Sequence, residues 1–378
     1  MIYLDNSATS FPKPRCVVDA VNEAVLSYGN YGRSSYRMAI ETTEKVHECR
    51  EKVARLFNAK TDKVIFTHNC TMSLNMAIKG LAKKGSHFII SDLEHNAVLR
   101  PLETLKAKGI CDYTIAKTDR DAFKTLKNFE KCVNSNTIAI VCTGASNVFG
   151  MITPYQLLGD LAHKHGLKFI LDGAQVAGIK KIDLKRDNID ILCCAGHKGL
   201  YGPSGIGLLV LNDNNDLDTI IEGGTGSNSL NYKQPDFMPD RLESGTPNIP
   251  GIIGLSSALD FIEGIGINKI FNHERHLMRY LYNGISNNRK ITLYSGDYSN
   301  CRDSVPILSF NIKNINSDKV AEMLADNGIC VRAGLHCAPL AHKKFGTENT
   351  GCVRISPSVF TKKNQIEFTI NSLIKIAK

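Results

Sequence analysis

Residues 168–211 read KFILDGAQVAGIKKIDLKRDNIDILCCAGHKGLYGPSGIGLLVL. Three short apolar runs stand in this stretch, at 168–172, 191–196 and 205–211. Each is too short for a helix and apolar almost without alternation, the pattern of strands buried on both faces. The same pattern precedes it in VIFT (64–67), HFIIS (87–91) and IAIVCT (138–143). Between these runs, TMSLNMAIKGLAKKG (71–85) and PYQLLGDLAHKHG (154–166) carry apolar residues at helical spacing and stop on Gly. Strands alternating with helices predict an α/β fold with a mostly parallel sheet, and ligands in such folds sit at the carboxyl ends of the strands.

The chain has 378 residues, more than one hydrophobic core usually serves, so two domains are expected. From 212 to 250 the sequence turns rich in Gly, Asn, Asp and Pro and reads as a loop over a site or a subunit interface. A helical stretch (251–285), strands such as ILSFNI (307–312), a helix near 317–327 and a closing helix (362–377) predict an α+β second domain. The division expected is a large domain over 15–250 and a small one over 251–378, completed by residues 1–14. The net charge is +9, but AKKG, LKAKG and HKKFG scatter it along the chain. That reads as a solvated surface tolerant of anionic ligands, with no nucleic acid or membrane as partner. The opening MIYLDNSATSFPKP lacks a secretory pattern, so a cytoplasmic setting and reduced thiols are expected for the twelve cysteines. No C-x-x-C pair occurs, and Cys193 and Cys194 read as small core residues.

Four strand ends carry polar residues that suit chemistry. In ILCCAGHKGLYGPSGIG a strand runs into His197 and Lys198, flanked by glycines that leave room for a planar ligand. A lone lysine in such a turn is ordinarily a surface residue; a desolvated one has a lowered pKa and forms imines. Asp172 ends the preceding strand, where it reads either as a helix N-cap or as a carboxylate facing a pyridine nitrogen, with Gln175 close by. Asn69-Cys70-Thr71 opens a helix after a strand, an ordinary cap or an anion site. His95 follows the strand at 87–91 and reads as a structural residue or as one lying flat on a ring.

Together with YLDNSATSFPKP, SNVFG, LESGTPNIPGIIGL, VRAGLHCAPLAHKKFG and GCVRIS, these segments resemble the class V aminotransferases. The resemblance spans nearly the whole chain and is specific to the cysteine desulfurases of the Suf-type, selenocysteine-lyase-like branch. It implies the pyridoxal 5'-phosphate (PLP) fold type I: a mostly parallel seven-stranded sheet in the large domain, a smaller α+β domain, and a homodimer with its sites at the subunit interface. By position, Lys198 becomes the Schiff-base lysine, Asp172 the partner of the pyridine nitrogen, Gln175 that of the phenolic oxygen, and His95 the stacking residue. His197, Cys70 and Thr71 fall at the phosphate, and Thr246 reaches the phosphate of the other subunit's cofactor. Asn147 sits beside ring and substrate, Arg354 holds the substrate carboxylate, and Arg33, Arg332 and His336 join the substrate set.

Cys337 matches the nucleophile in the family's Arg-x-Gly-x-His-Cys pattern, and Arg332 and His336 are expected to lend it positive character. A zinc reading of His336, Cys337 and His342 lacks a second cysteine at ligand spacing, so no metal is expected. The resemblance implies that L-cysteine yields L-alanine and a persulfide on Cys337, passed to an acceptor protein in sulfur mobilisation and iron–sulfur cluster assembly. L-Selenocysteine as substrate, another PLP-dependent lyase or aminotransferase, and a non-catalytic binding subunit stand as alternatives. Departures from the family are Ala195 and Cys70, where hydroxyl residues are usual, and a shortened loop from Glu222 to Gly245.

Overall fold

A computed structural model of the chain describes residues 1–32, 34–212, 217–296, 298 and 303–378. After a two-residue strand β1 (Ile2–Tyr3) come helices α1 (Arg15–Ser27) and α2 (Arg37–Phe57). The strands β2 (Val64–Thr67), β3 (Ser86–Ser91), β4 (Cys111–Ala116), β5 (Thr137–Thr143), β6 (Lys168–Asp172), β7 (Ile191–Ala195) and β8 (Gly207–Leu211) then form one sheet. Its order is β2-β8-β7-β6-β5-β3-β4, parallel from β7 to β4, with β8 antiparallel to both neighbours. The six apolar runs are thus six of the seven strands. The seventh, β4, lies at the edge with Asp112 and Ile115 exposed, so no apolar run marks it.

Helices α3 (Cys70–Leu81), α4 (Asn96–Ala107), α5 (Ala122–Glu130) and α6 (Tyr155–Lys164) connect these strands. Alternate strand residues serve opposite faces. Ile170, Ile191 and Cys193 pack with α3 and α4, while Leu171, Leu192 and Cys194 pack with α1, α2 and α6. The adjacent cysteines therefore enter different cores, and burial pushes both thiols well above their usual pKa.

No helix or strand occurs among the described residues between β8 and α7 (Ile249–Ile265). The predicted helical stretch from 251 is two helices: α8 (Ile267–Ile285) follows a 78° bend at Gly266, whose φ of +93° suits glycine. α7 shares its core with α1 and α2. A separate core gathers from Leu277 onward and includes Leu4. Its strands β9 (Ile291–Leu293), β10 (Leu308–Ile312) and β12 (Val353–Ile355) form an antiparallel sheet centred on β10, and β1 pairs in parallel with β11 (Ile329–Cys330). Helices α9 (Ser317–Asp326), α10 (Pro339–Phe345) and α11 (Lys363–Ile376) complete the chain. No single helix among the described residues is long and apolar enough to cross a membrane.

Candidate active site

The carboxyl ends of the parallel strands meet at one cleft with about 500 Å³ of open space. Asp172 ends β6 and faces Thr143, the last residue of β5, across the ladder. Ala195 ends β7, and the chain turns through His197 to Lys198. All four side chains line the cleft together with Lys198 itself. Cys70, Thr71, His95, Asn147 and Gln175 complete the set, so eight residues marked in the sequence come together here.

Local structure explains each placement. Gly207 of β8 lets the turn before α3 approach, since a Cβ there would lie 2.5 Å from the Asn69 carbonyl carbon. Asn69 caps α3 by accepting from the Met72 N–H at 2.9 Å, which aims the helix's free N–H groups at the cleft. His95 caps α4: its Nδ1 accepts from the Ala97 N–H at 3.0 Å, so its proton sits on Nε2. Burial lowers its pKa, with Lys198 and Arg332 adding to the effect and Asp172 opposing it, and the ring is neutral. No helix follows Asp172, so it is not an N-cap; its Oδ1 accepts from the Ala174 N–H at 2.9 Å and from the Cys70 thiol at 3.4 Å. Gln175, in the turn after Asp172, spends one amide hydrogen on the Ser7 carbonyl at 3.0 Å.

The Lys198 amine has a pKa below the usual lysine range. Loss of water is the first cause, Arg354 and Arg332 contribute, and Asp172 works against them. Burial, helped by Lys198 and Lys13, brings His197 down to about 4, and its Nδ1 is buried without a partner.

The other wall is the loop from Arg332 to Cys337. It is stitched to β12: the Arg354 N–H donates to the Arg332 carbonyl at 2.8 Å and the Cys352 N–H to the Gly334 carbonyl at 3.2 Å. His336 and Cys337 both have left-handed φ, +49° and +57°. Two bonds hold that unfavourable turn: the Asn147 side chain donates to the His336 carbonyl and the Asn96 N–H to the Cys337 carbonyl, each at 2.8 Å. The Cys337 side chain is exposed. His336 corrects an expectation: it is buried, its pKa falls to about 3 through desolvation and the nearby Arg354, and it lends Cys337 no charge.

Arg354 is 1% exposed. Its Nη1 donates to the Asn147 carbonyl at 2.8 Å and its Nη2 to Asp5 at 2.6 Å, while Nε has no partner. Asp5 lies in the quoted segment YLDNSATSFPKP, yet nothing in the local sequence links it to a residue 349 positions away. Glu94, beside His95, carries no local signal in the sequence either. It is fully buried, bonded to Ser91 and to the Thr143 N–H at 2.8 Å, and burial raises its pKa to about 8. Thr246 is not brought to Lys198; it lines a second, larger cleft with Tyr31, Phe66 and Met72. Arg33 lies outside the described residues.

The class-V aminotransferase family profile matches residues 2–368. A probable cysteine desulfurase of Methanothermobacter thermautotrophicus is 33% identical over all of this chain and 94% of its own length. Another, from Pyrococcus abyssi, is 34% identical with the same coverage. Among solved structures, the apo cysteine desulfurase of Thermococcus onnurineus NA1 superposes with a TM-score of 0.92 at 31% identity, covering 100% of this chain and 94% of that one. The chain therefore belongs to the class-V aminotransferases, and these three relatives are named as cysteine desulfurases or probable ones.

Proposed function

We propose that the protein is a PLP-dependent cysteine desulfurase, with Lys198 as its cofactor lysine and Cys337 as its sulfur-accepting nucleophile. The observation that carries this is a lysine of lowered pKa sharing a strand-end cleft with Asp172 and His95, with the Cys337 loop tied to the same cleft through Asn147. The cleft's residues suit a phosphorylated pyridine. The orphaned His197 Nδ1, the start of α3 and the Thr71 hydroxyl suit a phosphate, and Asp172 suits a ring nitrogen. With Ala195 and a Cys70 thiol bonded to Asp172, phosphate binding rests on these groups and on backbone N–H donors.

When bound, PLP supplies a protonated ring that accepts the electron pair released at the substrate's Cα. The Asp172 carboxylate keeps that ring protonated, and His95 covers it as a neutral surface. Gln175 has one amide hydrogen left for the ring's phenolic oxygen. The free Nε–H of Arg354 suits the substrate carboxylate. Lys198, neutral at a lower pH than an ordinary lysine, takes the Cα proton. The Cys337 thiolate attacks the substrate sulfur: an S–S bond forms, the C–S bond breaks, and L-alanine leaves after gaining a proton. The persulfide then passes to an acceptor protein. The direct test is a pulse of L-cysteine, with alanine assayed and the peptides analysed by mass spectrometry. One added sulfur is expected on the Cys337 peptide, and Cys337→Ala should cut alanine release by roughly 10²-fold or more while still binding PLP. Sulfur found only on Cys330 or Cys352, or full turnover by Cys337→Ala, removes Cys337 from the reaction.

A further inference from the structure

His336 and Cys337 are neighbours in sequence that part company in space. Cys337 is exposed, whereas His336 is 4% exposed and turns beneath the loop. There it meets His342 of α10, its ring parallel to within 7° and its centroid 5.8 Å away. Cys352, just ahead of β12, reaches the same point from the other side, and one ligand atom from each of the three lies within 4.8 Å of the others. His342 and Cys352 are both wholly buried. Spacing alone had paired the histidines with Cys337; the fold substitutes Cys352.

Three ring nitrogens in this cluster, His336 Nδ1 and Nε2 and His342 Nε2, make no hydrogen bond of good geometry, although the backbone of Arg332 interacts with the His336 ring and that of Leu335 with the His342 ring. Buried polar atoms without partners are rare in folded proteins, and one nitrogen of each ring lies close enough to the other and to the Cys352 sulfur to share an occupant. The one satisfied nitrogen, His342 Nδ1, pairs with the Thr347 hydroxyl at 2.7 Å. A histidine ligand oriented by a bond at its second nitrogen is the usual arrangement around a metal. Phe149 lies edge-on to His342 and stacks on Phe345, and Leu93, Ala338 and Ala341 belong with Cys352 to the same apolar cluster.

We propose that His336, His342 and Cys352 bind one zinc(II) ion beneath the Cys337 loop. Two imidazoles and a thiolate form a borderline-soft donor set that suits zinc and not the oxygen-seeking calcium or magnesium. With bonds of about 2.0–2.3 Å, tetrahedral ligand atoms stand roughly 3.5 Å apart, so the cluster closes slightly as the ion enters. Binding forms two Zn–N bonds, one Zn–S bond and, to complete the tetrahedron, one Zn–O bond to a water that enters with the ion; the Cys352 thiol gives up one proton, and nothing is oxidised. The ion ties the loop bearing Cys337 to the strand bearing Arg354.

The test is metal analysis of the PLP-loaded enzyme after equilibration with zinc and removal of the excess. About one zinc per chain is expected in the wild type and in Cys337→Ser, falling to background in Cys352→Ser and His342→Gln. Cobalt(II) should give the strong visible d–d bands of a tetrahedral thiolate site in the wild type and lose them in Cys352→Ser. The proposal is overturned if the wild type keeps less than roughly a tenth of an equivalent, a result that needs no variant to fold. Loss of the ion from Cys337→Ser, or its retention in both cluster variants, overturns it equally, because the ion would then sit elsewhere.

Discussion

A guanidinium taken out of water needs an anion, and Arg354 has one in Asp5 at 2.6 Å. Burial lowers the Arg354 pKa and Asp5 counters that effect, so the pair is a charge balance, which in the proposed reaction a substrate carboxylate would enter as a second anion. Asp5→Asn leaves a buried cation with no counter-charge and should cost roughly 3–5 kcal/mol of stability. Added L-alanine should then raise the melting temperature of the PLP-loaded variant more than that of the wild type, because its carboxylate replaces the missing anion. An equal shift in both proteins would take Arg354 out of carboxylate binding. Glu94 gives a pH test. Its folded carboxyl titrates at about 8 against an ordinary 4.5, so the folded state keeps a proton that the unfolded chain has released. Stability therefore declines as pH rises through that window. Glu94→Gln should erase the decline, its unfolding free energy from denaturant titrations gaining on the wild type between about pH 5 and pH 9 by an amount on the order of a few kcal/mol. At this scale the sequence marked Lys198, Asp172 and His95, which the fold brings into one cleft, because each stands at or shortly after the end of an apolar run. It hid Asp5 and Glu94, whose roles depend on distant or buried partners that no local pattern encodes.

The elements that carry the chemistry are joined by backbone more than by side chains. The Cys337 loop leans on β12 through the pairing of Arg332 with Arg354 and through a glycine contact. Gly351 has a φ of +59°, and a Cβ there would sit 2.8 Å from the Gly334 Cα. Gly351→Ala cannot avoid pushing the loop away from the strand, and should cost at least about 1 kcal/mol in stability. Alanine release should fall by up to about 10²-fold, since an ångström of misplacement is enough to cost that much. PLP binding at Lys198 should persist, because β6 and β7 are untouched, and titration of the cofactor into the variant checks this. Unchanged turnover would show that the loop tolerates displacement. Neither glycine announces this contact in the sequence: Gly351 reads as a turn, and only the fold sets it against Gly334. The strands show the same divide. Those buried on both faces were legible as apolar runs, whereas β4, with Asp112 and Ile115 facing water, has too few apolar residues in a row to register.

One chain contains a cleft around Lys198 and a separate cleft around Thr246, and the whole molecule must account for both. The second cleft is lined by Tyr31, Phe66 and Ile221, and the loop beside it leaves Leu230 and Tyr232 at 98% and 106% exposure. Apolar side chains so fully exposed on one loop suit a surface that another protein chain covers. If a second copy covers it, as the family resemblance implies, Thr246 of each chain falls near the Lys198 cleft of the other. Composition went part of the way, since a loop rich in Gly, Asn, Asp and Pro reads as cover for a site or a subunit interface without choosing between them. Mixed dimers decide it. Thr246→Val removes one hydroxyl at constant shape and should weaken PLP binding by roughly 10–150-fold, the worth of one hydrogen bond to a charged group. Lys198→Ala removes the cofactor lysine. When the two variants are co-expressed and the mixed dimer is isolated by dual tags, trans action predicts one site with an intact Lys198 facing an intact Thr246. That dimer should bind one PLP per two chains with wild-type affinity and turn over cysteine at about half the wild-type rate. If Thr246 instead serves its own chain, the only site retaining Lys198 lacks the hydroxyl, and the mixed dimer should bind as weakly as Thr246→Val alone.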